Sequence, residues 1–475
     1  MKKIQRFPSA PPIVRSQRWR GLPVLAGICL VLGGCASVAP IPLLPAARAR
    51  AFEQRSLASA DLHNYVASHP SGGAARAPIT WDLASLPLAA FYFNPDLDRA
   101  RARAATAEAA VQTASQHPNP SLQLPFGYTA NPKAGESAYT FGLGLDIPVE
   151  TAHKRGYRVA EARQLSLAAR RDVGQVAWQV RSRLRSRLVD LSVAREHARV
   201  LRAQLQTREH IAQGLDRRLA LGEAALPQVL QARANAGQAR LAWARAGQQV
   251  LDAQAAVAGA IGLPAQALAQ TAIHLDAFRT VPPAPSASQA QAQALVNRAD
   301  VQAALARYEA SEAALQLALA DRYPDIHLGP GYTFDAGAHK YSLGVSAITL
   351  PLFNQNQGAI AEAEARRAQA AADFDAVQAR AIGETERGAQ ALRAALENLH
   401  LSAALLRTQQ LRRDAMQRAL DAGEADALDA ARADIDLQNA LLSDDDATAE
   451  VQRSIGALEG ALQGPLPIGL RPGEH

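Results

Sequence analysis

The chain repeats itself once at a nearly constant offset, and most of each copy is alanine-rich helix, so few folds are open to it. "HPNPSLQLPFGYT" (117–129) returns as "YPDIHLGPGYT" (323–333), and "LGLDIPV" (143–149) as "VSAITLPL" (345–352). "LALGEAALPQVLQAR" (219–233) returns as "LDAGEADALDAAR" (420–432), and "NPDLDRARARA" (94–104) as "RADVQAALARY" (298–308). Gly127 and Gly331, Pro148 and Pro351, Gly222 and Gly423, Leu97 and Val301 are the paired anchors. A proline-rich stretch, "TVPPAPSAS" (280–288), separates the copies.

Each copy reads alike. A modest helix (about 95–116 and 299–321) stops at Pro118 or Pro324. Two strands follow, joined by polar hairpins, "ANPKAGES" (130–137) and "DAGAHK" (335–340). In "YTFGLGLDIP" (139–148), Tyr139, Phe141, Leu143, Leu145 and Ile147 share one face, against Thr140, Gly142, Gly144 and Asp146. That alternation suits a wall with lipid on one side and water on the other. The second copy carries an extra residue between Leu343 and Pro351, which predicts a bulge or register change. Helical tracts of about 152–220 and 354–420 come next. Val173, Ala177, Val180, Leu184, Leu188 and Leu191 keep helical spacing in the first, and Phe374, Val377, Ala381, Gly388, Leu392, Leu396 and Leu399 in the second. A tract of ~65 residues is roughly 100 Å long, more than a globular domain accepts. Alanine on the packing face suits antiparallel coiled coil. After a Gly turn each copy sends a helix back, to about 262 and 461.

The N-terminus reads as a targeting segment. Lys2, Lys3, Arg6, Arg15, Arg18 and Arg20 precede a short apolar run, "GLPVLAGICLVLGG" (21–34), too short for a stable span. It ends in "LGGCAS" (32–37), which resembles a bacterial lipobox; the resemblance implies cleavage before Cys35, acylation of it and, with Ala36 following, outer-membrane sorting. The formal charge of +6 is carried by that segment, so the remaining chain is near neutral and the high pI points to no nucleic-acid partner. Of the two cysteines, Cys29 leaves with the signal, so no disulfide framework is possible.

Two strands per copy make four per chain, too few to close a barrel, and lipid tolerates no open sheet edge. Three chains would supply about twelve strands, and a symmetric trimer is the simplest closure. Here the residues resemble the TolC-like outer membrane efflux factors, from "WDLASLPLAAFYFNPDLDRARA" (81–102) to about residue 461. "PLFNQNQGAIAEAEA" (351–365), the "NPDL" start, the Pro-ended strands and the two Gly turns carry the resemblance. "PLFNQNQG" and "FYFNPDL" are most similar to the heavy-metal branch, the cobalt–zinc–cadmium or copper–silver type. The resemblance implies a mainly α fold with a small β part: a duplicated helix–β-hairpin–long-helix repeat building a trimeric helical tube and a shared barrel. It also implies a homotrimeric exit duct in outer membrane lipid, docked on a periplasmic adaptor and an inner-membrane RND-type pump, with no cofactor. Multidrug or solvent efflux and type I secretion are the alternatives within transport; an anchored periplasmic coiled-coil scaffold is the alternative outside it.

The expected boundaries are a lipoprotein signal peptide (1–34), a lipid-anchored tether (35–93), a first repeat (94–279), a linker (280–298), a second repeat (299–464) and a C-terminal tail (465–475). By resemblance the Gly turns are adaptor-contacting tips: Arg217, Arg218, Leu221 and Gly222 in one, Arg418, Leu420 and Gly423 in the other. "DALDA" (426–430) resembles the aspartate pair lining the closed aperture. Asp426 and Asp429, at i and i+3, would form two stacked carboxylate rings in a trimer; acids at a helix N-terminus are the plainer alternative. The first copy has Gln228 and Gln231 there. The histidines are scattered; His327 and His339 flank a hairpin, but a wet pore wall explains them better than a metal site. "RSRLRSRLVD" (181–190), with Arg170 and Arg171, and "SDDDA" (443–447) read as solvated helix faces, with head-group contact and a cation-attracting ring as the sharper readings. No nucleophile–base pair, metal triad or phosphate loop stands out, and the chain reads as no enzyme.

Overall fold

The computed structural model describes residues 39–69, 79–269, 271–281 and 296–466. The expected signal peptide, Cys35, most of the linker and most of the tail lie outside the described residues. Two compact units divide the chain, 1–52 and 53–475. In the first, the described residues form a short helix, α1 (Pro45–Glu53), which buries none of its side chains.

The second unit carries the repeats. Short helices α2 (Ala60–Ala67) and α3 (Leu86–Phe93) lead into α4 (Pro95–Ser115). The first strand pair follows, β1 (Ser121–Gln123), β2 (Phe126–Tyr128) and β3 (Tyr139–Val149), then the long α5 (Lys154–Ala220) and the returning α6 (Leu226–Ile261). The second copy runs α7 (Ala299–Ala320), β4 (Ile326–Leu328), β5 (Gly331–Asp335), β6 (Ala338–Ser342), β7 (Val345–Ile348), α8 (Gln357–Asp421) and α9 (Ala427–Leu462). The long helices have 67 and 65 residues, and both returning helices have 36. The fold is mainly helical with a small sheet, as the duplicated pattern predicts.

Seven strand segments trace only four paths. β1 and β2 both pair with β3, antiparallel, with Leu122 opposite Leu145 and Phe126 opposite Phe141. β3 pairs on its other side with β5 and β4, and these pair with β6 and β7. Two breaks fall at Leu124–Pro125 and Gly329–Pro330, because proline lacks the N–H that a ladder needs; the third falls at Leu343–Gly344, beside the register shift in the last strand path. The predicted irregularity in the second copy is present: Leu328 faces Val345 while His327 faces Ala347, so one residue of β7 is extra. The second hairpin is tighter than the polar run "DAGAHK" predicts. Only Ala336 (φ 52°) and Gly337 (φ 96°) turn, both left-handed as a two-residue type I′ turn requires; the flanking residues are already paired.

The apolar stripes of the long helices face inward. Val180, Leu184, Leu188 and Leu191 are fully buried, as are Ala381 and Leu392. The largest core gathers α2, α3, mid-α5 and the end of α6, with Trp81 and Ile273 bridged in parallel. One junction shows how each copy closes. Asn94 caps α4, accepting from Asp96 N at 2.9 Å, while its amide donates to Ala260 O at 3.0 Å. In the second copy Arg298 takes that place, donating to Ala461 O at 3.1 Å and to Asp300 and Glu384 at 2.7 Å each. After α6 the chain turns at Gly262 (φ 95°), and after α9 at Gln463 (φ 47°).

At Gly262 an added Cβ would stand 2.6 Å from Phe93 O, and the backbone is left-handed as well. Gly262→Ala is therefore expected to destabilise by about 2–4 kcal/mol, the left-handed penalty plus overpacking. Gly222→Ala, left-handed but with open space around it, is expected to cost only about 1–2 kcal/mol. Thermal unfolding of the two variants checks the order.

Candidate functional site

Two regions carry the geometry a duct would use: the helical tips and the sheet wall. At the first tip α5 ends in a Schellman turn. Glu223 N donates to Arg218 O at 2.8 Å and Gly222 N to Leu219 O at 2.9 Å, with Gly222 left-handed at φ 78°. The second tip repeats it: Glu424 N to Ala419 O at 2.8 Å, Gly423 N to Leu420 O at 3.0 Å, with Gly423 at φ 75°. Of the expected adaptor-contacting residues, Leu221 stands 74% exposed on the first tip. Leu428 of the second tip packs on the apolar cluster of the first, around Leu215 and Val229.

Arg218 and Asp426 join the tips. Two hydrogen bonds, 2.8 and 2.6 Å, make a bidentate guanidinium–carboxylate pair, and Asp426 also caps α9 through Leu428 N at 3.4 Å. Arg218 holds the Asp426 carboxyl down to about 2. Asp429 lies one turn on and pairs with Arg432 at 3.0 Å. The expected aperture aspartates thus each have an arginine partner, and Asp426 is a cap rather than a helix-face residue. The first copy does not place Gln228 and Gln231 at the two aspartate positions as expected: Ala225 is the N-cap that matches Asp426, Gln228 matches Asp429 and closes the turn by accepting from Ala225 N at 3.4 Å, and Gln231, further on, pairs with Asn235 at 3.0 Å. Arg217 lies in the last turn of α5, and Arg418 and Leu420 in that of α8; Arg418 turns back to Asp414 O at 3.2 Å.

The sheet is inside out by the standard of a water-soluble protein. Leu122, Phe126, Tyr128, Tyr139, Phe141 and Leu143 form an exposed apolar face, and Leu343 is 85% exposed. The opposite face is polar. Thr140 donates to Asp335 at 3.1 Å, Lys340 pairs with Asp335 at 2.8 Å, and His327 meets Asp146 at 3.0 Å. His339 sits elsewhere, against Tyr332 OH at 2.7 Å. His327 and His339 lie on different rungs and do not converge, and among the described residues no group of three metal-type ligands is found. No described helix is long and apolar enough to cross a membrane.

The Arg-rich run is not the uniformly solvated face that its composition predicts. Arg183 and Arg187 stay exposed, pairing with Asp96 at 3.2 Å and Asp190 at 3.4 Å, and Arg170 pairs with Glu108 at 2.8 Å. Arg185 is buried, donating to Gln452 at 3.0 Å beneath the Phe278 ring. The "SDDDA" acids also separate. Asp444 accepts from Ser402 at 2.8 Å and Asp446 lies 3.3 Å from His197. Asp445 turns into a seam between α5 and α9, where burial, then Glu196, pushes its carboxyl up to about 6.

A family model described as outer membrane efflux protein matches residues 89–263 and again 291–464. The cobalt-zinc-cadmium resistance protein CzcC of Cupriavidus metallidurans is 27% identical over 286 residues, 60% of this chain and 66% of that protein, just under two thirds of its length. The pyoverdine export outer membrane protein OpmQ of Pseudomonas aeruginosa is 25% identical over 365 residues, 70% of this chain and 73% of that protein. Among solved structures, the outer membrane protein VceC from Vibrio cholerae superposes with a TM-score of 0.65 at 21% identity, covering 81% of this chain and 97% of that one. CusC gives 0.65 at 19% identity, covering 81% and 92%.

Asp426 and Asp445 are shifted in opposite senses. Asp426 is held below its ordinary value, so its stabilisation is full above pH 4 and disappears as pH falls toward 2. Asp445 is raised, so its contribution is full below pH 4 and is lost as pH rises through about 6. Hydrogen-exchange protection at the tips, taken relative to the intrinsic rate at each pH, is expected to fall between pH 4 and 2 in the wild type and to change much less there in Arg218→Ala. Asp445→Asn is expected to flatten the pH 4–7 slope of thermal stability.

Proposed function

Because the chain belongs to the outer membrane efflux protein family, we propose that it is the exit duct of a tripartite efflux system, passing heavy-metal cations out across the outer membrane. The observation that carries the reading is a four-path sheet, apolar outside and polar inside, mounted on helices of roughly 100 Å. Three copies would close that sheet into one barrel of about twelve strands, with the helices forming a tube into the periplasm. Transport through it is passive, since a duct conducts best when its walls bind weakly. A periplasmic adaptor grips the tips at Arg217, Arg218, Leu221 and Gly222 and at Arg418, Leu420 and Gly423, and an inner-membrane RND-type pump supplies the energy. Cys35 is the lipid attachment point that holds each copy at the membrane.

Asp426 and Asp429 line the closed aperture in this reading. Arg218 offsets the Asp426 charge through two hydrogen bonds while the tips are joined and Arg432 meets Asp429 through one, so the half-exposed Asp429 carries more of the ring's attraction for cations. The metal assignment draws support from the likeness to CzcC and from "PLFNQNQG" in the stretch after β7. The likeness to OpmQ favours a second reading, export of an organic molecule.

A deletion strain challenged with zinc, cobalt, cadmium, copper and silver, beside a panel of dyes, separates the two readings. Lost metal tolerance with unchanged dye tolerance is expected; the reverse refutes the metal assignment. In planar bilayers, replacing Asp426 and Asp429 together by Ala is expected to weaken block by divalent and trivalent cations by about tenfold, the order of a 1–2 kcal/mol loss of attraction. Unchanged block would count against the aperture role.

A further inference from the structure

Where α3, mid-α5, the 276–279 turn and the end of α9 meet, the helical body forms a half-open cavity of about 380 Å³. Its volume is at the small end for ligand cavities, room for one short chain. One wall is apolar: Leu83, Pro87, Leu88, Phe91, Ile455 and Leu466. The other is charged, with Arg181, Arg185 and Glu459.

The charges on that wall balance in number, with Asp82 counted, but are poorly paired. The Arg185 and Glu459 side chains are only 8% and 9% exposed. Buried charges normally pair by direct hydrogen bonds. Here Glu459 Oε2 lies 3.7 Å from Arg181 and 3.8 Å from Arg185, outside hydrogen-bonding distance. Among the described residues neither Glu459 Oε2 nor Arg185 Nε has a hydrogen-bond partner. Glu459 Oε1 is occupied by Leu466 N at 3.2 Å. Asp82, the other acid on the wall, is committed to its own turn, accepting from Ala84 N and Ser85 N at 2.9 Å. Among the described residues neither guanidinium thus hydrogen-bonds a carboxylate on this wall, and burial pushes Arg185 down from its ordinary value.

We propose that this cavity binds a single-chain aliphatic anion, its carboxylate or phosphate head against Arg181 and Arg185 and its tail along Leu88, Phe91 and Ile455. The head is the acceptor that Arg185 Nε and its neighbour lack and takes hydrogen bonds from the guanidiniums; the tail covers the apolar wall. Glu459 opposes the anion and tunes its affinity downward. The site lies on the helical body, apart from the sheet and the tips, and is independent of what the duct carries.

The test uses the full chain, assembled and held in amphipol, titrated calorimetrically with decanoate, decanol and a monoacyl phosphatidylglycerol. Saturable binding at one per chain is expected for decanoate or for the monoacyl lipid, the tighter one identifying a free acid or a lipid source, with decanol at least tenfold weaker. Arg185→Met is expected to weaken binding at least tenfold, and Arg181→Met serves if that variant does not assemble. Glu459→Gln keeps an acceptor for Leu466 N and is expected to tighten binding several-fold. Absence of saturable binding, decanol as tight as the anions, or unchanged affinity in Glu459→Gln would overturn the proposal.

Discussion

An antiparallel sheet with an apolar outer face and two unpaired edges has no stable home on its own. In water the face formed by Phe126, Phe141 and Leu143 is a liability; in hydrocarbon the unpaired backbone groups of the outer edges are worse. Both problems disappear only when edges from several copies meet. The rest of the architecture follows from that closure. In the proposed assembly the helices would leave the barrel together and run side by side as a tube, and alanine on their facing surfaces would let them lie close.

The two copies reach the same junctions with different chemistry. Asn94 and Arg298 occupy matching positions and both reach the carbonyl ending the returning helix, at Ala260 and Ala461. The first is a neutral cap; the second is a buried cation held by Asp300 and Glu384. Past those carbonyls, Gly262 leaves room for Phe93 O, while Gln463 uses its side chain to accept from Ala299 N at 2.8 Å. Duplication fixed where the backbone needs a tie and left open which side chain provides it.

Much of this was legible in the residues, because periodicity and proline report directly on backbone geometry. Helix ends, the four strand paths, the extra residue in the second copy and the two Gly turns all have such signals. The failures concern side chains. "RSRLRSRLVD" looks solvated because charge is assumed to face water. Residues four apart share a helix face, however, so Arg181 and Arg185 turn toward α9 while Arg183 and Arg187 stay outside. The partner of Asp426 lies on the other tip, 208 residues away in sequence, and no local pattern announces it. The tight turn at Ala336–Gly337 was hidden in a longer polar run, since Asp335, His339 and Lys340 are polar for the sake of the wall and of strand pairing.

The two long helices differ by two residues, 67 against 65. Two residues amount to about 3 Å of rise and about 200° of rotation. The two tips, joined through Arg218 and Asp426, are alike in fold but differ in side chains: Ala225 stands at the N-cap of the first returning helix and Asp426 at that of the second. Around the proposed threefold assembly the six tips would alternate between two kinds, so whatever grips that end would meet three pairs of unlike seats rather than six equal ones. A ring of six identical partner segments can fit it only by taking up two inequivalent poses.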